Sequence, residues 1–255
     1  MEEYKIYALK YAGPLSSSGA LMMWLKEWEE TVERNYYIWC LKGEGETVVV
    51  DAGVSPQIAD ERGLAGYVSP ADMLSRIGVK AEEVRHVILT HIHWDHADGI
   101  TLFPNATIYI QEEEYRFWIK DPLSKRAPLQ FFVIDSYLEY LAALEGTDRL
   151  VLLKGDQQVL PGIDCLLAPG HDVALQAVAV NTAKGKAILG SDCAHTFRNY
   201  QEDWPSTFIV DLPGWMRTYD KLREAASSPD LLFPGHDPMM TTQYEQVAED
   251  VTLLV

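Results

Sequence analysis

The sequence predicts a mixed α and β fold, and three observations support this prediction. Apolar runs of strand length cluster in the first half of the chain and again in its last third, with helical patterns joined to each set. The chain has 255 residues, which is enough for one large domain with a full core. Hydrophobic residues make up 47% of it, an ordinary share for a globular protein. We therefore expect a single domain over residues 1–255.

The first half of the chain combines strand signals with turn residues and two helical patterns. Alternating apolar residues, Gly-rich turns and a Ser-Pro pair set the boundaries. The expected elements, in order, are a strand at 4–11, a loop at 16–19, a helix within 20–34, strands at 36–42 and 47–52 with Gly43-Glu44-Gly45 as their turn, a helix from Ser69-Pro70 to Gly78, and a strand at 85–90.

The second half opens with a helical region and then becomes rich in strands. The region 121–132 is expected to be an insertion, because it contains Pro122 and Pro128 with aromatic residues beside them. Together with its flanking helices, this segment around 111–145 is a candidate substrate-pocket or dimer element. The expected elements are a strand at 106–110, helices at 111–119 and 135–145, strands at 149–153, 163–168, 174–181 and 186–191, a helix at 216–226 and a final strand at 230–233.

The acidic balance of the chain limits its partners. A net charge of −17 argues against nucleic acid, which needs a positive footprint, and against an anionic membrane surface. We therefore expect no nucleic acid and no membrane partner, but a neutral or weakly polar small molecule. Two aromatic clusters, 22–28 and 115–132, could line its pocket, fill the core or form a homodimer contact, and the sequence leaves these three alternatives open.

The start of the chain and its cysteines predict a cytoplasmic protein. The segment Met1–Lys5 lacks the basic and apolar regions of a signal peptide, and the apolar stretch Ala20–Leu25 is too short to cross a bilayer. Cys40, Cys165 and Cys193 show no metal-type spacing, so we expect reduced and mostly buried thiols.

Three histidines and an aspartate fall within six positions directly after the apolar run Val87–Leu89. They are His91, His93, Asp95 and His96. Imidazole and carboxylate groups are the ligands that hold borderline divalent metals such as zinc. The first two histidines are two residues apart, so on an extended strand end they point the same way. The last two residues follow where a helix should begin and can face a second point nearby. One short segment can therefore supply two adjacent metal sites.

Three further candidate ligands follow apolar runs in the second half of the chain. His171 and His236 each come after a Pro-Gly pair, which is typical of a strand that leads into a tight loop. Asp192 ends the run Ile188–Ser191. Four strand ends would then each deliver a ligand, as a dinuclear site requires. For Asp192 a simple turn role is the main alternative, since aspartate is common in turns.

These motifs, in this order, resemble the metallo-β-lactamase superfamily. The pattern is His-x-His-x-Asp-His, then Pro-Gly-His, then Ser-Asp, then Gly-His, and Val48–Gly53 is similar to the family's early strand ending in Asp-x-Gly. Within the superfamily the chain looks most like the N-acyl homoserine lactonases, the quorum-quenching lactonases, through Tyr37–Leu41, Ile110–Tyr115 and the Phe-Pro-Gly-His-Asp block at 233–237. The resemblance implies an α+β fold of αββα sandwich type, with two mixed β-sheets and helices on the outer faces.

The resemblance also implies a metal site and a reaction. It places His91, His93 and His171 on one metal ion and Asp95, His96 and His236 on the other, with Asp192 bridging both. Two divalent ions, zinc by default with Fe, Mn or Co as alternatives, would hold a hydroxide that attacks a lactone carbonyl. Asp95 would pass a proton to the departing alkoxide. Asp51 and Asp237 could each orient an imidazole or serve a turn.

The chain departs from the lactonase pattern at two places near the predicted metals. After His171 it reads Asp172–Leu175, without the glycine and second histidine often found there. Lactonases of this kind carry a tyrosine three residues after the bridging aspartate, where this sequence has His195. We expect His195 to lie at the mouth of the active site and to donate to the substrate carbonyl, as a phenol would. A role without catalytic importance is the alternative.

Other functions compete with a lactonase. A thioesterase of the glyoxalase II type uses the same ligands, although the chain has no basic cluster suited to a thiol cofactor. A β-lactamase is disfavoured because Asp192 stands where many of those enzymes have cysteine, and an iron dioxygenase because the pair Asp95-His96 is present. Another cyclic ester or amide hydrolase also fits. The alternative without catalysis is a metal-binding regulatory module, which the complete ligand set disfavours.

Overall fold

The computed structural model describes residues 2–255, which form two facing β-sheets with helices on their outer sides. The strands are β1 Lys5–Ser18, β2 Thr31–Lys42, β3 Thr47–Val50, β4 His86–Ile88, β5 Thr107–Gln111, β6 Leu150–Leu153, β7 Gln157–Leu160, β8 Ile163–Leu167, β9 Gln176–Thr182, β10 Gly185–Ser191, β11 Leu232–Pro234, β12 Glu245–Ala248 and β13 Val251–Leu253. The helices are α1 Gly19–Met22, α2 Pro56–Glu61, α3 Pro70–Ser75, α4 Trp94–Ala97, α5 Glu112–Lys120, α6 Ala127–Gln130, α7 Asp135–Ala143, α8 Phe197–Glu202, α9 Leu212–Ala225 and α10 Met239–Thr242.

Both sheets are mixed. The first has the strand order β12-β13-β1-β2-β3-β4-β5-β6, antiparallel as far as β3 and parallel from β3 to β6. The second has the order β11-β10-β9-β8-β7, with one parallel pair, β10 and β11. The parallel strands require crossover connections, and these supply several of the outer helices.

Alternation along the strands divides the core into layers. In β2, Tyr37 and Trp39 face the second sheet and pack with its residues Val178 and Phe233, whereas Ile38 belongs to the opposite cluster. Successive side chains of a strand point to opposite faces, so one buried strand supplies two layers.

Helices cover the outer face of each sheet. Met73 of α3, Trp118 of α5 and Leu141 of α7 pack on the first sheet, and Trp215 and Leu222 of α9 pack on the second. The predicted αββα sandwich is confirmed.

The expectations for residues 16–34 were wrong except for a short helix, α1. Residues 16–18, expected as a loop, continue β1 and pair with β2, including Ser17 with Val32. Register shifts after Lys10 and Ala12 break the alternation, which hid this part of the strand. The expected helix ends at Met22, and positive φ angles at Leu25 and Glu27 exclude its continuation.

The strand at 230–233 is not the last one. Strands β12 and β13 follow it and add to the edge of the first sheet, and β7 was also not expected. Strand β7 begins with two glutamines and β12 is largely exposed, so neither carries a strong apolar signal.

None of the helices in residues 2–255 combines the length and the apolar character needed to cross a membrane.

Candidate metal centre

The histidines and aspartates singled out from the sequence meet at one end of the two sheets. Strand β4 of the first sheet leads to His91. In the second sheet, β8 leads to His171, β10 to Asp192 and β11 to His236. Each of these four residues is at most 4% exposed, so the centre is assembled inside the protein from distant parts of the chain.

The side chains form two adjacent groups with an aspartate between them. The ligand atoms of His91, His93 and His171 lie within 4.8 Å of one another, and so do those of Asp95, His96 and His236. Asp192 faces both groups, since its Oδ1 lies 3.0 Å from His236 Nε2 and its Oδ2 lies 3.5 Å from His171 Nε2. The arrangement suits a carboxylate that bridges two cations.

Hydrogen bonds to backbone carbonyls define which nitrogen of two imidazoles faces the centre. His236 Nδ1 donates to the Asn35 carbonyl at 2.7 Å, and His171 Nδ1 donates to the Phe208 carbonyl at 3.1 Å. A carbonyl oxygen can only accept, so the proton of each neutral ring is on Nδ1. The lone pair on each Nε2 is therefore directed into the centre.

His93 faces the centre through its other nitrogen. Its Nε2 lies 3.1 Å from Asp172 Oδ2 and donates to it, and its Nδ1 lies 3.0 Å from His171 Nε2. His93 donates through Nε2 and His171 through Nδ1, so the lone pairs of His93 Nδ1 and His171 Nε2 face each other across 3.0 Å. A cation held by both nitrogens fits this arrangement.

Buried polar atoms without partners point to the same conclusion. Among the residues the structure describes, the Nε2 atoms of His91, His96 and His236 and the Oδ1 of Asp192 are buried and have no hydrogen-bond partner. Buried polar groups are nearly always satisfied, so such a cluster needs an explanation. Divalent cations at the two groups would provide one.

Burial and charge set the protonation of the centre. Burial lowers the pKa of His91 well below its usual value and that of His171 to about 4, which keeps both rings in the neutral form that binds metals. Burial alone would raise the pKa of Asp192, but the neighbouring His236, His195 and His96 hold it well below its usual range. Burial would lower the pKa of His96, yet the carboxylates around it, Asp192 first, raise it well above its usual value.

Asp51 orients His96, and one of its two proposed roles is thereby confirmed. Asp51 Oδ2 accepts from His96 Nδ1 at 2.7 Å, while Oδ1 accepts from the backbone N–H of Thr90 at 2.8 Å. The corresponding proposal for Asp237 was wrong, because its carboxylate accepts from the backbone N–H groups of Phe197 and Met239 and so stabilises a turn.

Sequence reasoning missed the carboxylate pair Asp172 and Glu114 behind His93. Trp118 Nε1 donates to both of them at 3.0 Å, and Glu114 also accepts from two backbone N–H groups. Burial and the neighbouring Asp172 raise the pKa of Glu114 well above its usual value. Burial would raise the pKa of Asp172, but His93 lowers it to about 2. The available signal was the aspartate directly after His171, which by itself indicates only a departure from the lactonase pattern.

His195 lies on the floor of the cavity rather than at its mouth. It is 1% exposed, and its Nε2 lies 3.3 Å from Asp192 Oδ2. Its nitrogen also falls within 4.8 Å of ligand atoms of His171 and Asp192, so it is a geometric candidate for an additional metal ligand. Its ring stacks on that of His236, with centroids 5.6 Å apart.

An open cavity of about 290 Å³ leads to the centre. Its walls combine metal-facing, aromatic and basic side chains: Leu15, Arg34, Tyr36, Arg62, Leu64, His93, Trp94, Asp95, Phe131, Phe132, His171, Asp192, His195 and Phe208. A mainly apolar cavity of about 430 Å³ adjoins it behind Phe132 and Phe208. The aromatic cluster at 115–132 is therefore divided, since Tyr115 and Trp118 are core residues whereas Phe131 and Phe132 line the cavity.

Comparisons with known proteins agree with this site and fold. The metallo-beta-lactamase superfamily matches residues 32–236. N-acyl homoserine lactonase AiiA of Bacillus thuringiensis subsp. kurstaki is 26% identical over 222 residues, which cover 80% of this chain and 82% of AiiA.

Solved structures show the same fold. An N-acyl homoserine lactone hydrolase with N-hexanoyl-L-homoserine bound at its catalytic metal centre superimposes with a TM-score of 0.79 at 18% identity, covering 97% of this chain and 98% of that one. The dizinc quorum-quenching lactonase AidC gives a TM-score of 0.72 at 18% identity, covering 93% of this chain and 91% of AidC. The family match spans the strands and loops that carry every residue of the centre, and the chain belongs to the metallo-beta-lactamase superfamily.

Proposed function

We propose that the protein is a dinuclear metal-dependent hydrolase that opens lactone rings of the N-acyl homoserine lactone type. One observation carries the proposal above all others: two groups of three ligands lie side by side, with Asp192 facing both. Its relatives named N-acyl homoserine lactonase indicate the class of bond. Such a reaction would make it a quorum-quenching enzyme.

The proposed ligands are the seven residues predicted from the sequence. His91, His93 and His171 would hold one ion, and Asp95, His96 and His236 the other. Zinc is the first candidate, because the donors are imidazole and carboxylate and the similar structure of AidC is described as dizinc. When bound, divalent cations lower the pKa of a coordinated water to about 7 and polarise a carbonyl oxygen.

The chain's own residues would position the lactone and move one proton. Asp95 is 8% exposed and lines the cavity, and its carboxylate would take the proton of the attacking water and pass it to the alkoxide that leaves when the ring opens. His195 also lines the cavity, and a neutral imidazole there can donate one ring N–H to the substrate carbonyl. The adjoining apolar cavity behind Phe132 suits an acyl chain.

Elemental analysis combined with a hydrolysis panel tests the proposal. Protein purified without chelator should contain close to two metal ions per chain and should release acid from a lactone, which a pH indicator reports. His96→Ala should selectively weaken the second site and reduce turnover greatly.

Two results would contradict the proposal. A value of one ion per chain after metal supplementation would exclude the dinuclear centre. Thioesters cleaved far faster than every lactone tried would favour a thioesterase instead.

A further inference from the structure

Two arginines, Arg34 and Arg62, line the cavity that leads to the metal centre. Arg34 lies on β2 and is half-buried, and Arg62 follows α2 and is exposed. The chain has 38 acidic and 21 basic residues, so two guanidinium groups beside one small cavity run against its overall balance.

Neither guanidinium has a carboxylate partner among the residues that the structure describes. Arg34 Nε donates to Ser17 Oγ at 2.9 Å, and Arg62 Nη2 makes only a long contact, 3.4 Å, to the Phe131 carbonyl. Five other arginines of this acidic chain form ion pairs, as Arg223 does with Asp203 at 2.7 Å, whereas the two cavity arginines form none within residues 2–255. Both cavity arginines therefore keep donors for a further partner.

The carboxylates of the cavity do not neutralise them. Asp192 lies 3.0 Å from His236 Nε2, and Asp95 lies 3.7 Å from the same nitrogen, so both are directed to the metal centre. Cations bound there would offset these two negative charges. The positive charge of the arginines then dominates the outer part of the cavity.

Aromatic rings hold both guanidinium groups close to the reacting end of the cavity. Arg62 Cζ lies 4.0 Å from the centre of the Trp94 ring, and Arg34 Cζ lies 5.7 Å from that of Tyr36. Tyr36 in turn packs edge-on against His236, with ring centroids 5.4 Å apart.

We propose that Arg34 and Arg62 bind a carboxylate that the lactone carries away from the bond that breaks, so that the preferred substrate is an anionic lactone. The proposal rests on the proposed function and specifies its substrate class. Guanidinium groups recognise carboxylates through charge-assisted hydrogen bonds. A net charge of −17 favours a neutral substrate, but the local potential of a cleft decides what binds in it.

A binding experiment tests the anion site without turnover. Adipate and its monoamide, adipamate, each offer one carboxylate to the metal centre, but only adipate offers a second to the arginines. Calorimetry on the metal-loaded protein should show that adipate binds about 10-fold tighter, as expected when a charged group gains a hydrogen-bonded partner. In Arg34→Gln and Arg62→Gln the ratio should fall towards one.

Arg85→Gln is the matched control. Arg85 is exposed, lies outside the cavity and forms no ion pair within residues 2–255, so its variant should keep the adipate preference. Equal affinity of the wild-type protein for both ligands, or a preference that survives both cavity substitutions, would overturn the proposal.

A kinetic comparison separates this proposal from the proposed function. The substrates are N-succinyl homoserine lactone, whose acyl chain ends in a carboxylate away from the ring, and the corresponding terminal amide, which share the lactone ring. The carboxylate should have the higher kcat/KM, and the two cavity variants should lose activity on it while they keep activity on the amide. Equal loss on both substrates would mean that the arginines only support Tyr36 and Trp94, and would refute the anion site. If adipate shows the expected preference while no lactone is opened, the anion site stands and the lactonase proposal fails.

Discussion

At the scale of single residues, a hydrogen bond donated by one ring nitrogen of an imidazole determines that its other nitrogen faces the metal centre. Carbonyl oxygens accept from His171 and His236, whereas the carboxylate of Asp172 accepts from His93 and that of Asp51 from His96. A carboxylate partner raises the basicity of the ring more than a carbonyl does. The two groups of ligands therefore each contain one imidazole made strongly electron-donating by a buried acid.

His195 is the residue whose role is most open to experiment. Its position on the cavity floor permits either a contact with the substrate carbonyl or coordination of a metal. If it donates to the carbonyl, His195→Ala should lower kcat by roughly tenfold. This is less than the 10²–10³-fold loss typical of a lone oxyanion donor, because bound metal ions would also stabilise the oxyanion. Metal content should stay unchanged, whereas His171→Ala should lose metal. His195→Tyr should retain activity and shift preference towards N-acyl homoserine lactones.

Elemental analysis and steady-state kinetics on the same preparations decide between the roles of His195. Loss of a metal ion in His195→Ala would make it a ligand and would contradict the set of seven. No change in rate or in substrate preference would leave it a structural residue.

At the scale of elements, the site depends on how each strand ends. Strands β8 and β11 lead into Pro169-Gly170 and Pro234-Gly235, and the glycines allow the chain to turn tightly beside other groups. Gly170 has a φ of 145°, and a Cβ there would clash with Trp215 of α9. A Cβ at Gly235 would clash with Asp192 Oδ1 and approach the Ser191 carbonyl carbon to 3.0 Å. Glycines at these strand ends therefore set the position of the Asp192 carboxylate.

Gly235→Ala should displace Asp192 and weaken metal binding. We expect the affinity to fall by about 10- to 100-fold, the range found when a group that orients a ligand is lost. Titration of the metal-free variant with zinc in a competing chelator measures it.

Gly155→Ala provides the control for a glycine outside the site. Its Cβ would meet nothing within 4 Å, although its φ of 71° should cost about 1 kcal/mol of stability. Its zinc affinity should equal that of the wild type. An unchanged affinity in Gly235→Ala would show that Asp192 can shift without loss of a ligand.

At the scale of the whole molecule, the metal centre joins the two sheets. One part of it follows β4 of the first sheet, and His171, Asp192 and His236 follow strands of the second. The apolar layer between the sheets, which includes Trp39 and Phe233, packs them independently of any metal. We therefore expect the fold to form without metal but to be stabilised by it.

Removal of the metals should lower the melting temperature without unfolding the protein. Ligand binding to the folded state contributes about 2.7 kcal/mol at 100 times the Kd, which corresponds to roughly 5–10 °C for a chain of this size. Thermal denaturation followed by circular dichroism, with and without EDTA, measures the shift. His171→Ala should show a smaller shift, since one site is already impaired. An unchanged melting temperature after proven loss of metal would mean that the centre does not link the sheets energetically.

Much of this architecture could be predicted from local sequence. The strands 36–42 and 47–52, the helix at 111–119 and the ligand cluster 91–96 carry strong periodicity or dense metal-binding chemistry, and all form close to the expected positions. The end of β1 and the strands β12 and β13 could not, because bulges and exposed polar residues remove the apolar alternation.

By itself, the sequence determined that the site binds metal through His and Asp side chains and which strand ends carry them. These are local properties, because the residue types and the Pro-Gly pairs after apolar runs can be read within single segments. Only the tertiary structure decided which groups meet. It placed Asp172 beside His93, turned Asp237 towards a backbone turn, buried His195 beside Asp192 and set Arg34 and Arg62 at one cavity. These contacts depend on how two sheets pack across long sequence separations, and no pattern within a single segment specifies such a distance.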